Sequence, residues 1–130
     1  MNGLMPGSGD FSIDHSEHIS DIEEIKSRFR STGIKNVFTR KELDMYAGSK
    51  YDERHLSGVF AAKKCIAEIL GVICDKRIEI KYDTNGKPEP VMNKFLSGEC
   101  VKKMIRSISV SISHSRNFVA ALAVYEKYIN

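Results

Sequence analysis

The chain changes hydrophobic period along its length. Up to Gly71 apolar residues mostly recur three and four positions apart, as on one face of a helix, whereas from Ile78 they alternate, as in half-buried strands. The helical half predicts three elements. Ser20 reads as an N-cap with Glu23 completing a capping box, Ile19, Ile22, Ile25 and Phe29 form the apolar stripe, and Gly33 is the stop. Thr39 and Glu42 repeat the box, with Phe38 and Leu43 spaced as a hydrophobic staple and an end near Gly48. A charged loop, "SKYDERH", then leads into Gly58–Gly71. That stretch reads as one amphipathic helix with Leu56, Val59, Phe60, Ile66, Ala67, Ile69 and Leu70 on one arc. Two features disturb it. Lys63 falls near the middle of the arc, and Lys64 and Glu68 sit together at its edge, one turn apart.

The alternating half predicts strands. Ile78, Ile80 and Tyr82 oppose Glu79 and Lys81, Asn85-Gly86 signals a hairpin turn, and Pro88 marks the returning segment as irregular or at a sheet edge. "NKFLSGECVKKMIRS" is a helix candidate. Two strands around a short turn follow: Ile108, Val110 and Ile112 alternate with Ser107, Ser109, Ser111 and Ser113, and Phe118–Tyr125 is apolar enough for the middle of a sheet. Near the start, Phe11–Asp14 is a short strand candidate running into polar "HSEH". The resulting class is α+β with a largely antiparallel sheet. Residues 11–130 form a single domain behind a flexible leader, Met1–Asp10, rich in Gly, Pro and Ser.

Composition narrows the function classes. The chain has 130 residues, 42% hydrophobic and 28% charged, which is ample for one core. No apolar run approaches membrane-spanning length and the N-terminus carries no secretory pattern, so the cytoplasm is expected. Cys65, Cys74 and Cys100 are odd in number and form no CxxC pair, which fits a reducing compartment rather than a disulfide framework or zinc site. A net charge of +3 is too mild to indicate nucleic acid. It suits an anionic small ligand or an acidic protein partner, and equally a slightly basic solvated surface.

Three clusters can carry chemistry, and each has a bland reading. Asp14, His15, Glu17 and His18 place carboxylates at the end of a strand, where a hard ion such as Mg²⁺ can bind; on pattern alone they form a solvated polar loop. The serines before His114 can donate to phosphate oxygens, or form a small-residue face under a closely packed helix. Lys63 can meet a ligand phosphate, although a lysine in an apolar stripe usually snorkels to water, and Lys64 with Glu68 would ordinarily be a surface ion pair.

Taken together, the clusters resemble the holo-acyl-carrier-protein synthase group of the 4′-phosphopantetheinyl transferase superfamily. "FSIDHSE" resembles the family's first strand, which ends in an aspartate, and "VFTRKELDMY" resembles its "FTxxEl..y" segment. "LSGVFAAKKCIAEILG" resembles "laGRFAAKEA..KAlG", "IEIKYDTNGKPEP" resembles "iei..d..GKP", and "VSISHSRNFVAALAVYE" resembles "vSlSHs...A.A.vv.E". The match runs from Phe11 to Glu126. The resemblance implies transfer of 4′-phosphopantetheine from coenzyme A to a serine of an acyl carrier protein. It implies Mg²⁺ on the pyrophosphate, held by the aspartate ending the first strand and a glutamate of the FAAKE helix. It also implies a homotrimer with coenzyme A at subunit interfaces, contacting Lys87, Pro88, Ser113 and His114. The aspartate is assigned to Asp14. Asp21 of "DIEE" offers the same D-x-x-E spacing, but Asp14 is expected to follow a strand and Asp21 to begin a helix.

Against the family pattern, the FAAKE glutamate is Lys64 and the lysine four residues on is Glu68, an exchange of acid and base; the arginine of GRFAAKE is Val59. Lys63 alone of that charged group is retained, and is expected to face the coenzyme A cleft. Asp14, Lys63, Lys64 and Glu68 are thus the expected catalytic group, with Asp14 as metal ligand. A lysine cannot hold Mg²⁺, but an ammonium can neutralise part of a pyrophosphate in its place. The exchange keeps a second reading open, a catalytically inactive homologue that binds a carrier protein or an active paralogue. A third is a protein binding a coenzyme A ester or nucleotide for other chemistry.

Overall fold

The computed structural model describes residues 10–33, 36–48 and 53–129. The leader expected at Met1–Asp10 lies outside them except for Asp10, as do residues 49–52 of the charged loop. In chain order the elements are β1 (Phe11–Asp21), α1 (Ile22–Thr32), α2 (Arg40–Gly48), α3 (Glu53–Leu70), β2 (Ile80–Tyr82), β3 (Pro88–Pro90), α4 (Lys94–Lys102), β4 (Ile105–His114) and β5 (Phe118–Tyr128). All strand pairs are antiparallel: β1-β5-β4 form one sheet and β2-β3 a separate ribbon. The α+β class, the Asn85-Gly86 hairpin and the pairing of the two last strands stand as the sequence predicts. Asp83 closes that hairpin by accepting from the backbone N–H groups of Asn85 and Lys87.

The first strand departs from expectation. It does not stop at Asp14 but runs on through the polar "HSEH" to Asp21, in unbroken register with β5 from Phe11↔Tyr128 to Asp21↔Phe118. The apolar partner strand supplies the hydrogen-bonding ladder, so the polar residues of β1 need only occupy an edge. Helix α1 accordingly starts one residue later than predicted. Asp21, not Ser20, is the N-cap, its carboxylate accepting from the Glu23 N–H at 2.8 Å. Ile19 therefore lies in the strand and is 69% exposed, while Ile22 and Ile25 are buried. Gly33 ends α1 with φ 85°, as expected.

Helix α3 begins at Glu53 rather than Gly58 and packs across all three strands of the larger sheet. Leu56, Val59, Ile66 and Leu70 lie in the core with Ile78, Val110, Val119 and Ala123. Gly58 is the closest approach. A Cβ there would stand 2.7 Å from Ile112 Cγ2 and 2.8 Å from His114 Nε2. The helix lies on the isoleucine face of β4, not over its serines, which point to the opposite, open face and are mostly exposed. Burial of three β-branched side chains outweighs the closer approach that small residues would allow.

Candidate functional site

Lys63 and Lys64 are neighbours in sequence but stand about 100° apart around α3 and meet different surroundings. Lys63 is fully buried. Its ammonium donates to Glu42 Oε1 at 2.8 Å and to the Val37 carbonyl at 2.5 Å, and lies 5.3 Å from the Phe38 ring centroid. The Glu42 carboxylate also accepts from the Thr39 N–H at 2.9 Å and the Ile80 N–H at 2.8 Å. The Thr39 capping box of α2 is thus one arm of a buried hub joining α2, α3 and β2, and Thr39 Oγ1 in turn donates to Glu79 at 2.6 Å. This corrects the placement of Lys63 at a ligand cleft. Its charge is spent on Glu42, because α2 covers that side of the helix.

Lys64 is partly exposed and lines a cavity of about 180 Å³ with His18, Ser20, Glu24, Arg28 and Phe60. Its ammonium lies 5.5 Å from the Phe60 ring centroid. Among the described residues no carboxylate comes within ion-pair distance of it. Glu68, the expected partner, accepts instead from the Ser16 hydroxyl at 3.1 Å. Arg28 reaches Glu24 at 4.0 Å. Burial, and then the charge of Lys64, hold the His18 imidazole below its ordinary pKa. His18, Glu24 and Arg28 carry no motif of their own in the sequence. Only the continuation of β1 and the start of α1 at Ile22 bring them together.

Asp14 is not part of this group. It lies mid-strand, exposed, accepting from the His15 N–H and lining a separate groove with Ile13, Glu17 and Leu122. About 13 Å of strand separates it from His18. Ser16 is the residue of β1 that bonds to Glu68, and the residue that ends the strand is Asp21, next to the cavity-lining Ser20. The basis for preferring Asp14 over Asp21 is therefore corrected.

On the β4 side of α3 lies a larger, more apolar cavity of about 440 Å³, lined by His55, Tyr82, Gly86, Pro88, Ile112 and His114. The rings of His55 and Tyr82 lie 5.3 Å apart, and His114 Nε2 donates to the Arg54 carbonyl at 3.1 Å. The hairpin turn and the end of β4 do meet here, with Lys87 exposed on the turn. Ser113 does not join His114: strand alternation sends it to the open face, into a groove with Glu17, Ser111 and Leu122. The three thiols are unpaired; Cys65 and Cys100 are buried, and burial pushes Cys74 up to about 11, so none is a ready nucleophile.

The fold, with one helix laid across an open antiparallel sheet, is the 4′-phosphopantetheinyl transferase fold. It matches the holo-[acyl-carrier-protein] synthase of Neisseria meningitidis with a TM-score of 0.76, at 26% identity, over 87% of this chain and 97% of that one. The Helicobacter pylori holo-[acyl-carrier-protein] synthase, in complex with coenzyme A, matches with a TM-score of 0.69 at 22% identity, over 86% and 99%. In sequence, the holo-[acyl-carrier-protein] synthase of Caldicellulosiruptor saccharolyticus is 36% identical over 114 residues, 84% of this chain and 92% of its own. No family model matches the chain. On this similarity the chain belongs to the holo-[acyl-carrier-protein] synthase family.

The magnesium ion that the resemblance implies does not fit the residues present. A lysine ammonium is a donor only, and at position 64 it points its charge at the cavity the ion would share. Among the described residues the one carboxylate lining that cavity, Glu24, already faces Arg28. Among the described residues no group of three or more His, Cys, Asp or Glu side chains is arranged to hold a metal ion.

Proposed function

We propose that the chain transfers 4′-phosphopantetheine from coenzyme A to a serine of an acyl carrier protein. The observation that carries this reading is family membership across 84% of the chain, joined to a cation-lined cavity at the end of β1. In the step, the serine oxygen attacks the phosphorus on the pantetheine side of the pyrophosphate. The bond to the bridging oxygen breaks, and 3′,5′-ADP leaves with the electron pair. Lys64 and Arg28 draw charge from the pyrophosphate oxygens. Glu68, held by the Ser16 hydroxyl, is the carboxylate proposed to take the serine proton. Asp21 replaces Asp14 as the acidic residue ending the first strand. Pro88, Lys87 and His114 are proposed to contact coenzyme A in the larger cavity, whose ring pair suits a purine.

A homotrimer is part of the proposal. The open sheet face leaves Ile13, Ile19 and Phe118 between 50% and 69% exposed, apolar surface that a neighbouring copy would cover. Ser113 would then face a neighbouring copy rather than its own cleft. No helix of the described residues is long and apolar enough to cross a membrane, and the enzyme is proposed to work in the cytoplasm, where its carrier protein and coenzyme A are found. The test is incubation with coenzyme A and several apo carrier proteins, read by intact mass. Addition of one phosphopantetheine supports the reading. No addition to any carrier, with coenzyme A bound, sinks it in favour of an inactive homologue.

A further inference from the structure

The misfit between Lys64 and a metal site carries a conclusion of its own, which rests on the transferase reading for the identity of the anion. Three elements aim positive or protonatable groups into one small cavity: His18 from β1, Arg28 from α1 and Lys64 from α3. Among the described residues Glu24 is the one carboxylate that lines the cavity, and it is engaged with Arg28, while Glu68, which also acts on His18, accepts from the Ser16 hydroxyl. The exchange of acid and base on α3 keeps the helix's charge total but moves the positive end about 5 Å, one helical turn. The structure shows where each end goes. The ammonium turns to the cavity without a carboxylate partner, and the Glu68 carboxylate is drawn off by Ser16. A half-buried ammonium that no carboxylate engages keeps its charge available to a bound anion.

We infer that this cavity is a metal-independent site for the pyrophosphate diester of coenzyme A, in which the Lys64 ammonium supplies the positive charge that a divalent ion supplies where a carboxylate stands at this position. The cavity is organised around the lysine rather than damaged by it. Glu68, its competitor for the charge, is tied to Ser16, and Phe60 supports the side chain through its ring face.

Calorimetry with coenzyme A as the probe tests this, in EDTA and in millimolar Mg²⁺, on the intact protein. The inference expects affinities in the two buffers within about threefold. Lys64→Gln should weaken binding in EDTA by about tenfold or more, the weight of one charge-assisted contact, while Lys64→Arg keeps it. The Lys64→Glu, Glu68→Lys double change should bind coenzyme A at least tenfold more tightly with Mg²⁺ than without. A tenfold gain from Mg²⁺ in the unmodified protein overturns the inference, as does an unchanged affinity of Lys64→Gln in EDTA. Carrier-protein transfer, read in parallel by mass, separates the two failures. Transfer that requires Mg²⁺ removes the inference and leaves the transferase reading, whereas metal-free binding without transfer removes only the reading.

Discussion

The two flanks of α3 put the same side chain to opposite uses. On the α2 flank, Lys63 is sealed in the core, bonded to Glu42 and Val37, with no access to a ligand. On the β1 flank, one position along, Lys64 keeps its charge for a cavity. The difference comes from what covers each flank. A capping-box glutamate arrives with α2 and satisfies Lys63. Against Lys64 lie a histidine, an arginine already paired, and a phenylalanine ring. An apolar stripe interrupted by a lysine therefore says nothing by itself about function. The decisive fact is whether a carboxylate from another element reaches it.

The comparison breaks most visibly at Lys63. Lys63→Ala would leave Glu42 buried without its cation, and is expected to cost about 3–5 kcal/mol, the range for breaking a buried pair. Urea unfolding measures it, and a loss under about 1 kcal/mol would mean that Lys63 is not the strut described. Next in size is Gly58→Ala. The added methyl would press on Ile112 and His114, and an overpacked contact of this kind costs about 1–3 kcal/mol. Because it also shifts His114, coenzyme A affinity should fall with it. An alanine variant as stable as the parent would show that the helix can lift off β4 freely. Smaller still in stability is Lys64→Gln, expected within about 0.5 kcal/mol of the parent, as for a surface change, even as coenzyme A binding drops. A large destabilisation there would erase the distinction between the flanks.

How much of this could be read beforehand follows the same line. The helices, the hairpin and the β4–β5 pair are legible because each rests on local signals: capping boxes, an Asn-Gly turn, strict alternation. The length of β1 was not, because "HSEHIS" is held in the strand by β5, about 100 residues away in sequence, rather than by its own pattern. A strand that stops at Asp14 rather than Asp21 leaves His18 in a polar loop, apart from Arg28 and Lys64. The role of Lys63 was illegible for a similar reason. Thr39 and Glu42 announce a helix start, but nothing local says that the capping oxygen of the glutamate will also meet a lysine 21 residues on, or its second oxygen the Ile80 N–H. The separation of Ser113 from His114, by contrast, was implicit in the strand alternation already drawn for that segment.

The finest test of the β1 flank is His18. Burial and Lys64 hold its pKa below the usual 6.5, so it is neutral near pH 7 and charges only on acidification. The groups facing it are Lys64 and Glu68 from α3 and Arg28 and Glu24 from α1, cations and carboxylates in equal number. A bound pyrophosphate adds negative charge and should raise the imidazole's pKa, so binding takes up a proton and affinity strengthens as pH falls below 6.5. The free protein responds in the opposite sense. Its folded-state pKa is depressed relative to the unfolded chain, so the contribution of His18 to stability is present above 6.5 and is lost as pH falls through the folded value. Coenzyme A carries a phosphomonoester that itself titrates near pH 6, at about the value of other phosphomonoesters. The readout is therefore the difference between the parent and His18→Gln in proton uptake, measured by calorimetry in buffers of unlike ionisation enthalpy. The parent should take up more protons than His18→Gln between pH 5.5 and 7, a range set about the ordinary imidazole value. Equal uptake in the two would place the anion out of reach of His18 and return the β1 flank to an ordinary solvated surface.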